Sequence, residues 1–148
     1  MKTTVRLFAL MVAVGFPFGY STSEAARPTN VEIEFELGFT GPNSAEGTFV
    51  ATGFVNDDGL AIETFVIHGP HADGTKVFQG QDGDIELLFT VRITFTSETT
   101  AVADGRFVVM GGTGAYTNLK GVGTTHVELD FVAGTIVCVY EGTLWFRP

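Results

Sequence analysis

Between Ile85 and Phe95 the chain reads IELLFTVRITF, with apolar side chains at Ile85, Leu87, Phe89, Val91, Ile93 and Phe95. Apolar residues at every second position share one face of an extended strand, whereas a helix would scatter them around its circumference. Two further stretches repeat the pattern. Val31, Ile33, Phe35, Leu37 and Phe39 alternate with Glu32, Glu34 and Glu36, and Val127, Leu129 and Phe131 alternate with His126, Glu128 and Asp130. No comparable stretch carries apolar residues at helical spacing, so the chain reads as all-β.

Turn chemistry divides these runs. NDDG at Asn56–Gly59, GPHADG after His68, QGQDGD after the short run Lys76–Phe78, and Ala133–Gly134 are all hairpin signals. They separate seven or eight strands with short connections, which is an antiparallel meander. Long strands with one apolar face cannot keep open edges without aggregating, so the meander must close or double over. The expected fold is an eight-stranded antiparallel up-and-down barrel whose interior holds side chains or one small ligand. A two-sheet sandwich is the alternative. The 19 glycines and 14 phenylalanines of the 148 residues suit turns and aromatic strands.

The first residues read as an address. Lys2 and Arg6 precede the apolar run LFALMVAVGFPFGY, and Ser23 and Ala25 satisfy a small-residue cleavage rule. Residues 1–25 are therefore expected to be a secretory signal peptide, cut after Ala25 or Ala26, with residues 26–148 forming one barrel domain. The apolar run is short for a membrane span and Pro17 interrupts it. A secreted or periplasmic protein with no membrane span in its mature part is the expectation. Cys138 is the lone cysteine, so no disulfide supports the fold within the chain. The net charge of −9 opposes contact with nucleic-acid phosphates. Whether the protein forms a homo-oligomer is left open.

The stretch MGGTGAYTNLKGVG, Met110 to Gly123, invites a nucleotide-binding reading and fails it. A dinucleotide fingerprint needs glycine where Thr117 stands, a phosphate loop needs Lys and Ser or Thr after the last glycine, and both need a following helix. The structural reading is a barrel corner. Gly111, Gly112 and Gly114 are expected to permit positive φ, Tyr116 and Leu119 to plug one end of the core, and Gly121 and Gly123 to start a coiled strand.

The segment RFVVMGGTGAYTNLKGVGT resembles the corner of dirigent proteins and allene oxide cyclase-like barrels, and also that of small exported bacterial proteins with a Gly-Thr-Gly-x-Tyr turn. The likeness is strong over roughly twenty residues and elsewhere rests on strand pattern. It implies an eight-stranded calycin-like barrel with a central cavity. Dirigent proteins steer phenoxy-radical coupling, and the cyclases steer ring closure of a reactive epoxide, in both cases by holding a hydrophobic substrate. Thr117–Lys120 departs from the plant dirigent pattern, so plant-like chemistry does not transfer.

Several residues are candidates for a site. The row Glu32, Glu34, Glu36 is expected to face water, since three carboxylates on an interior face would need protons or cations; Arg92 and Lys76, also read as outward, would partly offset it. His68, His71 and Asp73 have a spacing that can hold zinc, with His126 as a distant further ligand, but solvent-exposed turn residues are the reading adopted and no metal is assigned. Cys138 shares a face with Ile136, Tyr140, Leu144 and Phe146, expected to look inward as a small core residue. A buried Tyr140 must find a hydrogen-bond partner or meet a ligand. Strand Leu60–His68 has two readings. One turns Thr64 and His68 to the cavity and is favoured; the other buries Glu63 as a lone carboxylate, a candidate acid or base.

These readings point to a cavity lined by Phe35, Thr64, Phe89, Val91, Phe95, Cys138 and Tyr140 that binds a hydrophobic small molecule without a cofactor. Two alternatives stand beside it. One is a cyclase or isomerase that confines its substrate, with Tyr140, Glu63 and His68 as catalytic candidates. The other is a packed barrel with a structural or surface-interaction role.

Overall fold

The computed structural model describes residues 29–148. The expected signal peptide and its cleavage site lie outside the described residues. Eight strands follow one another: β1 (Thr29–Gly41), β2 (Ser44–Gly53), β3 (Asp57–His68), β4 (His71–Gly80), β5 (Asp84–Phe95), β6 (Thr100–Gly112), β7 (Leu119–Asp130) and β8 (Thr135–Phe146). Each pairs antiparallel with the next, and β8 returns to β1, so the sheet closes as an up-and-down barrel. Closure removes every sheet edge, and the two-sheet alternative is thereby excluded.

Alternation in the strands becomes inside and outside of the barrel. Val31, Ile33, Phe35 and Leu37 of β1 are buried, while Glu32, Glu34 and Glu36 between them face solvent. Phe107 of β6 illustrates how aromatic bulk fits the narrow interior. A Cβ at Gly123 or Gly142 would stand 2.5 Å or 2.8 Å from its ring, so both positions must lack a side chain. The ring instead stacks on Tyr140 at 5.0 Å between centroids.

One end of the barrel carries the β2–β3, β4–β5 and β6–β7 connections and is plugged. The β6–β7 corner contains a single 3-10 turn, Gly114–Tyr116, and swings Tyr116 into the end of the core above the fully buried Leu119. Gly114 takes the left-handed φ of 59°. Gly112 does not adopt a positive φ, contrary to the expectation. Its requirement is space: a Cβ there would lie 2.2 Å from the carbonyl oxygen of Asp84 and 2.8 Å from Cβ of Tyr116. A bulge between Glu86 and Leu87 in the β5–β6 register precedes this corner and increases the local twist.

Candidate functional site

The opposite end is open. It carries the β1–β2, β3–β4, β5–β6 and β7–β8 turns and leads into a cavity of about 450 Å³. The cavity exists because interior positions change size along the barrel axis. Rings of Phe35, Phe49, Phe78, Phe107 and Tyr140 fill the middle of the barrel, whereas Ala72, Ala103, Val91 and Val127 stand on the mouth side and leave space between them. Phe131 stacks between Phe39 and Phe95 at the rim, with centroid distances of 6.3 Å and 5.8 Å.

A polar cluster lies within these apolar walls. Lys76 of β4 is only 1% exposed, and its Nζ stands 2.7 Å from Oε2 of Glu63, on β3. The same ammonium donates to the Tyr140 hydroxyl at 3.1 Å and lies 3.7 Å from the centroid of the Phe35 ring. Lys76, Glu63, Tyr140 and Cys138 all line the cavity. Burial works against the charge on Lys76, but the oxygens of Tyr140 and Glu63 outweigh it and hold the ammonium above its ordinary pKa. Burial, opposed by the Lys76 charge, pushes both the Tyr140 phenol and the Cys138 thiol up to about 12. At neutral pH the site therefore presents an ammonium, a neutral phenol and an inert thiol.

The structure corrects several expectations. Thr64 and His68 point outward and are exposed; Ala61, Glu63 and Phe65 form the inner face of β3. Glu63 is buried but not alone, because Lys76, expected on the outer wall, is inside with it. The outer Thr64 instead meets the Thr75 hydroxyl at 2.9 Å. Phe35 lies beneath the cavity rather than in its wall, its ring under the ammonium. Phe89, Val91, Phe95, Cys138 and Tyr140 do line the cavity, Phe95 at the rim with 65% of its surface exposed. His68 and Asp73 are exposed and 4.0 Å apart, while His126 lies on β7 against Asp104 at 2.6 Å, away from that hairpin.

Lys76 is the residue that sequence reasoning missed, and the signal was present. His68 and His71 flank a two-residue turn and pair with each other, so counting back along both strands brings Glu63 opposite Lys76. Ala72 and Phe78 share the parity of Lys76 and are apolar, which places the lysine inside. An acid and a base directly opposed on one interior face are a mutually consistent pair.

Fold and site together define a class: a closed eight-stranded meander barrel, plugged at one end, with an apolar cavity and a buried ion pair within it. Comparison with family models, with curated proteins and with solved structures found no match.

Proposed function

We propose that this protein binds one hydrophobic small molecule inside its barrel. The observation that carries the reading is the cavity of about 450 Å³, open to solvent at one end and walled by Phe65, Ala72, Val91, Ala103, Val127 and Ile136. Small-molecule sites occupy some 300–1,000 Å³, are mostly apolar, and hold a few placed polar groups. A barrel of purely structural role has no need of such a void, since unfilled interior volume costs stability. The signal-like N-terminus supports action outside the cytoplasm, and the Gly-Thr-Gly-x-Tyr corner supports kinship with the allene oxide cyclase-like and dirigent-like barrels.

A second reading, a cyclase or isomerase of that type, is favoured by one observation: Lys76, Glu63 and Tyr140 converge at the cavity wall. Confinement with a single cation near a reacting oxygen is enough to assist a ring closure.

Native mass spectrometry of the protein purified from its own host tests the binding reading. A co-purifying apolar molecule, lost from a Val127→Trp variant that fills the cavity, is the expected result. An empty protein that also fails to take up an apolar fluorophore, with wild type and variant alike, would refute it.

A further inference from the structure

Each hydrogen-bonding group in the cavity can be followed to its partner. Lys76 has three N–H donors; Glu63 and Tyr140 take two, and the third has only aromatic faces and the cavity before it, Phe35 at 3.7 Å and Phe89 at 5.2 Å. Tyr140 accepts from Lys76 and donates its own hydrogen to no acceptor among the described residues. Thr125, which is not part of the cavity wall, is a further unspent group in the same interior. It is 3% exposed, stands opposite Tyr140 in the β7–β8 register, and its hydroxyl has no hydrogen-bond partner among the described residues. Buried donors left unspent are uncommon in native proteins, because each one forfeits the hydrogen bonds it had in water.

Charge decides what can meet these donors. Glu63 at 2.7 Å already neutralises Lys76. A ligand carboxylate would bring a second anion into a low-dielectric site that holds one cation, and its desolvation would go uncompensated. A hydrocarbon would leave the donors as they are. A carbonyl oxygen is neutral and has two lone pairs, which suit an N–H and an O–H whose heavy atoms are 3.1 Å apart.

We propose that Lys76 and Tyr140 form a subsite for a neutral carbonyl oxygen, so that the molecule bound is an apolar ketone, aldehyde or enone rather than a fatty acid or a plain hydrocarbon. The proposal rests on the binding reading above and specifies its ligand class. Glu63 is a positioning residue: it holds the ammonium in place and sets the net charge of the subsite to zero.

Displacement of an apolar fluorophore by three matched bicyclic probes, tetralin, 1-tetralone and tetralin carboxylate, tests it. Wild-type protein is expected to bind the ketone about five- to tenfold more tightly than the hydrocarbon, and the carboxylate most weakly. Tyr140→Phe keeps the ring and removes one donor, so the ratio of ketone to tetralin affinity, measured within the variant, is expected to fall. The Lys76→Met/Glu63→Gln double variant removes both charges together and leaves the Tyr140 hydroxyl as the remaining donor of the subsite, so the preference is expected to fall as well. Glu63→Gln alone unmasks the ammonium and moves the preference toward the carboxylate. Equal binding of ketone and hydrocarbon, or a preference that survives undiminished in Tyr140→Phe and the double variant, overturns the subsite alone. Failure of all three probes to displace the fluorophore, or of the fluorophore to bind, overturns the cavity reading together with it.

Discussion

The hydroxyl of Tyr116 donates to Oδ2 of Asp57 at 2.6 Å, joining the β6–β7 corner to the start of β3 across the plugged end of the barrel. The same carboxylate accepts backbone N–H groups from Asp58 at 2.8 Å, Gln81 at 2.8 Å and Asp82 at 3.2 Å. One side chain thus ties three connections together. Burial alone would raise the Asp57 pKa, but the Tyr116 hydroxyl and these amides more than offset it and hold the group below its ordinary 3.8. The Tyr116 phenol is pushed up, by burial first and by Asp57 second.

The sign of the resulting pH dependence follows. A carboxyl whose pKa is lower folded than unfolded stabilises the barrel fully above the unfolded value and loses that contribution as pH falls through the folded one. Urea denaturation of the wild type is expected to show stability declining below about pH 4. Asp57→Asn should lower stability by about 1–3 kcal/mol at pH 7 and flatten the acid limb, since the amide keeps one acceptor oxygen but sets an NH2 donor against the N–H and O–H groups that the other oxygen accepted. An unchanged acid limb in that variant would remove Asp57 from this role.

The Glu63–Lys76 pair predicts non-additive mutations. Lys76→Met or Glu63→Gln alone leaves one buried group without its partner, and each should cost about 3–5 kcal/mol. The double variant should recover part of that loss, because no unpaired charge is left in the interior, although the amide introduced by Glu63→Gln stays buried. Chemical denaturation of the four proteins measures the cycle; simple addition of the single effects would mean the two side chains do not interact.

Cys138 should be chemically silent in the folded state. With its thiol pushed up from 9.0 to about 12 by burial, almost no thiolate forms at pH 8. Ellman's reagent is expected to label urea-unfolded protein within minutes and native protein only at the rate of unfolding. Rapid labelling of native protein would show an accessible, activated thiol.

Two glycines should respond oppositely to alanine. At Gly38 on β1 the nearest atom to an added Cβ is 3.9 Å away, so Gly38→Ala should be neutral or stabilise by up to about 1 kcal/mol. At Gly112 the added Cβ meets the Asp84 carbonyl oxygen at 2.2 Å, which only backbone movement relieves. Gly112→Ala should cost at least about 2 kcal/mol. Thermal unfolding of both variants gives the comparison.

The corner was legible in part. Tyr116 and Leu119 sit where the glycine-rich stretch implied, because a turn of that composition has few other ways to leave a strand. The reason assigned to Gly112 was mistaken, since crowding by a neighbouring strand's carbonyl is invisible to local conformational preference. Strand β3 was misjudged for a related cause. Its two faces are nearly equal in apolar content, Leu60, Ile62 and Val66 against Ala61, Phe65 and Ile67, so periodicity alone had no basis for choosing.

What the amino-acid order determined by itself was the class of fold: period-two alternation in β1, β5 and β7, punctuated by tight turns, admits only extended strands in sequential pairing. The closing of β8 onto β1, the unfilled space above the aromatic layer and the orientation of β3 were decided by tertiary structure. Those outcomes depend on how side-chain volumes sum around a closed ring, and that sum includes residues from all eight strands at once. Glu63 stands opposite Lys76 within the β3–β4 hairpin itself, but Phe35 and Tyr140, on β1 and β8, come to flank the ammonium only when the barrel shuts.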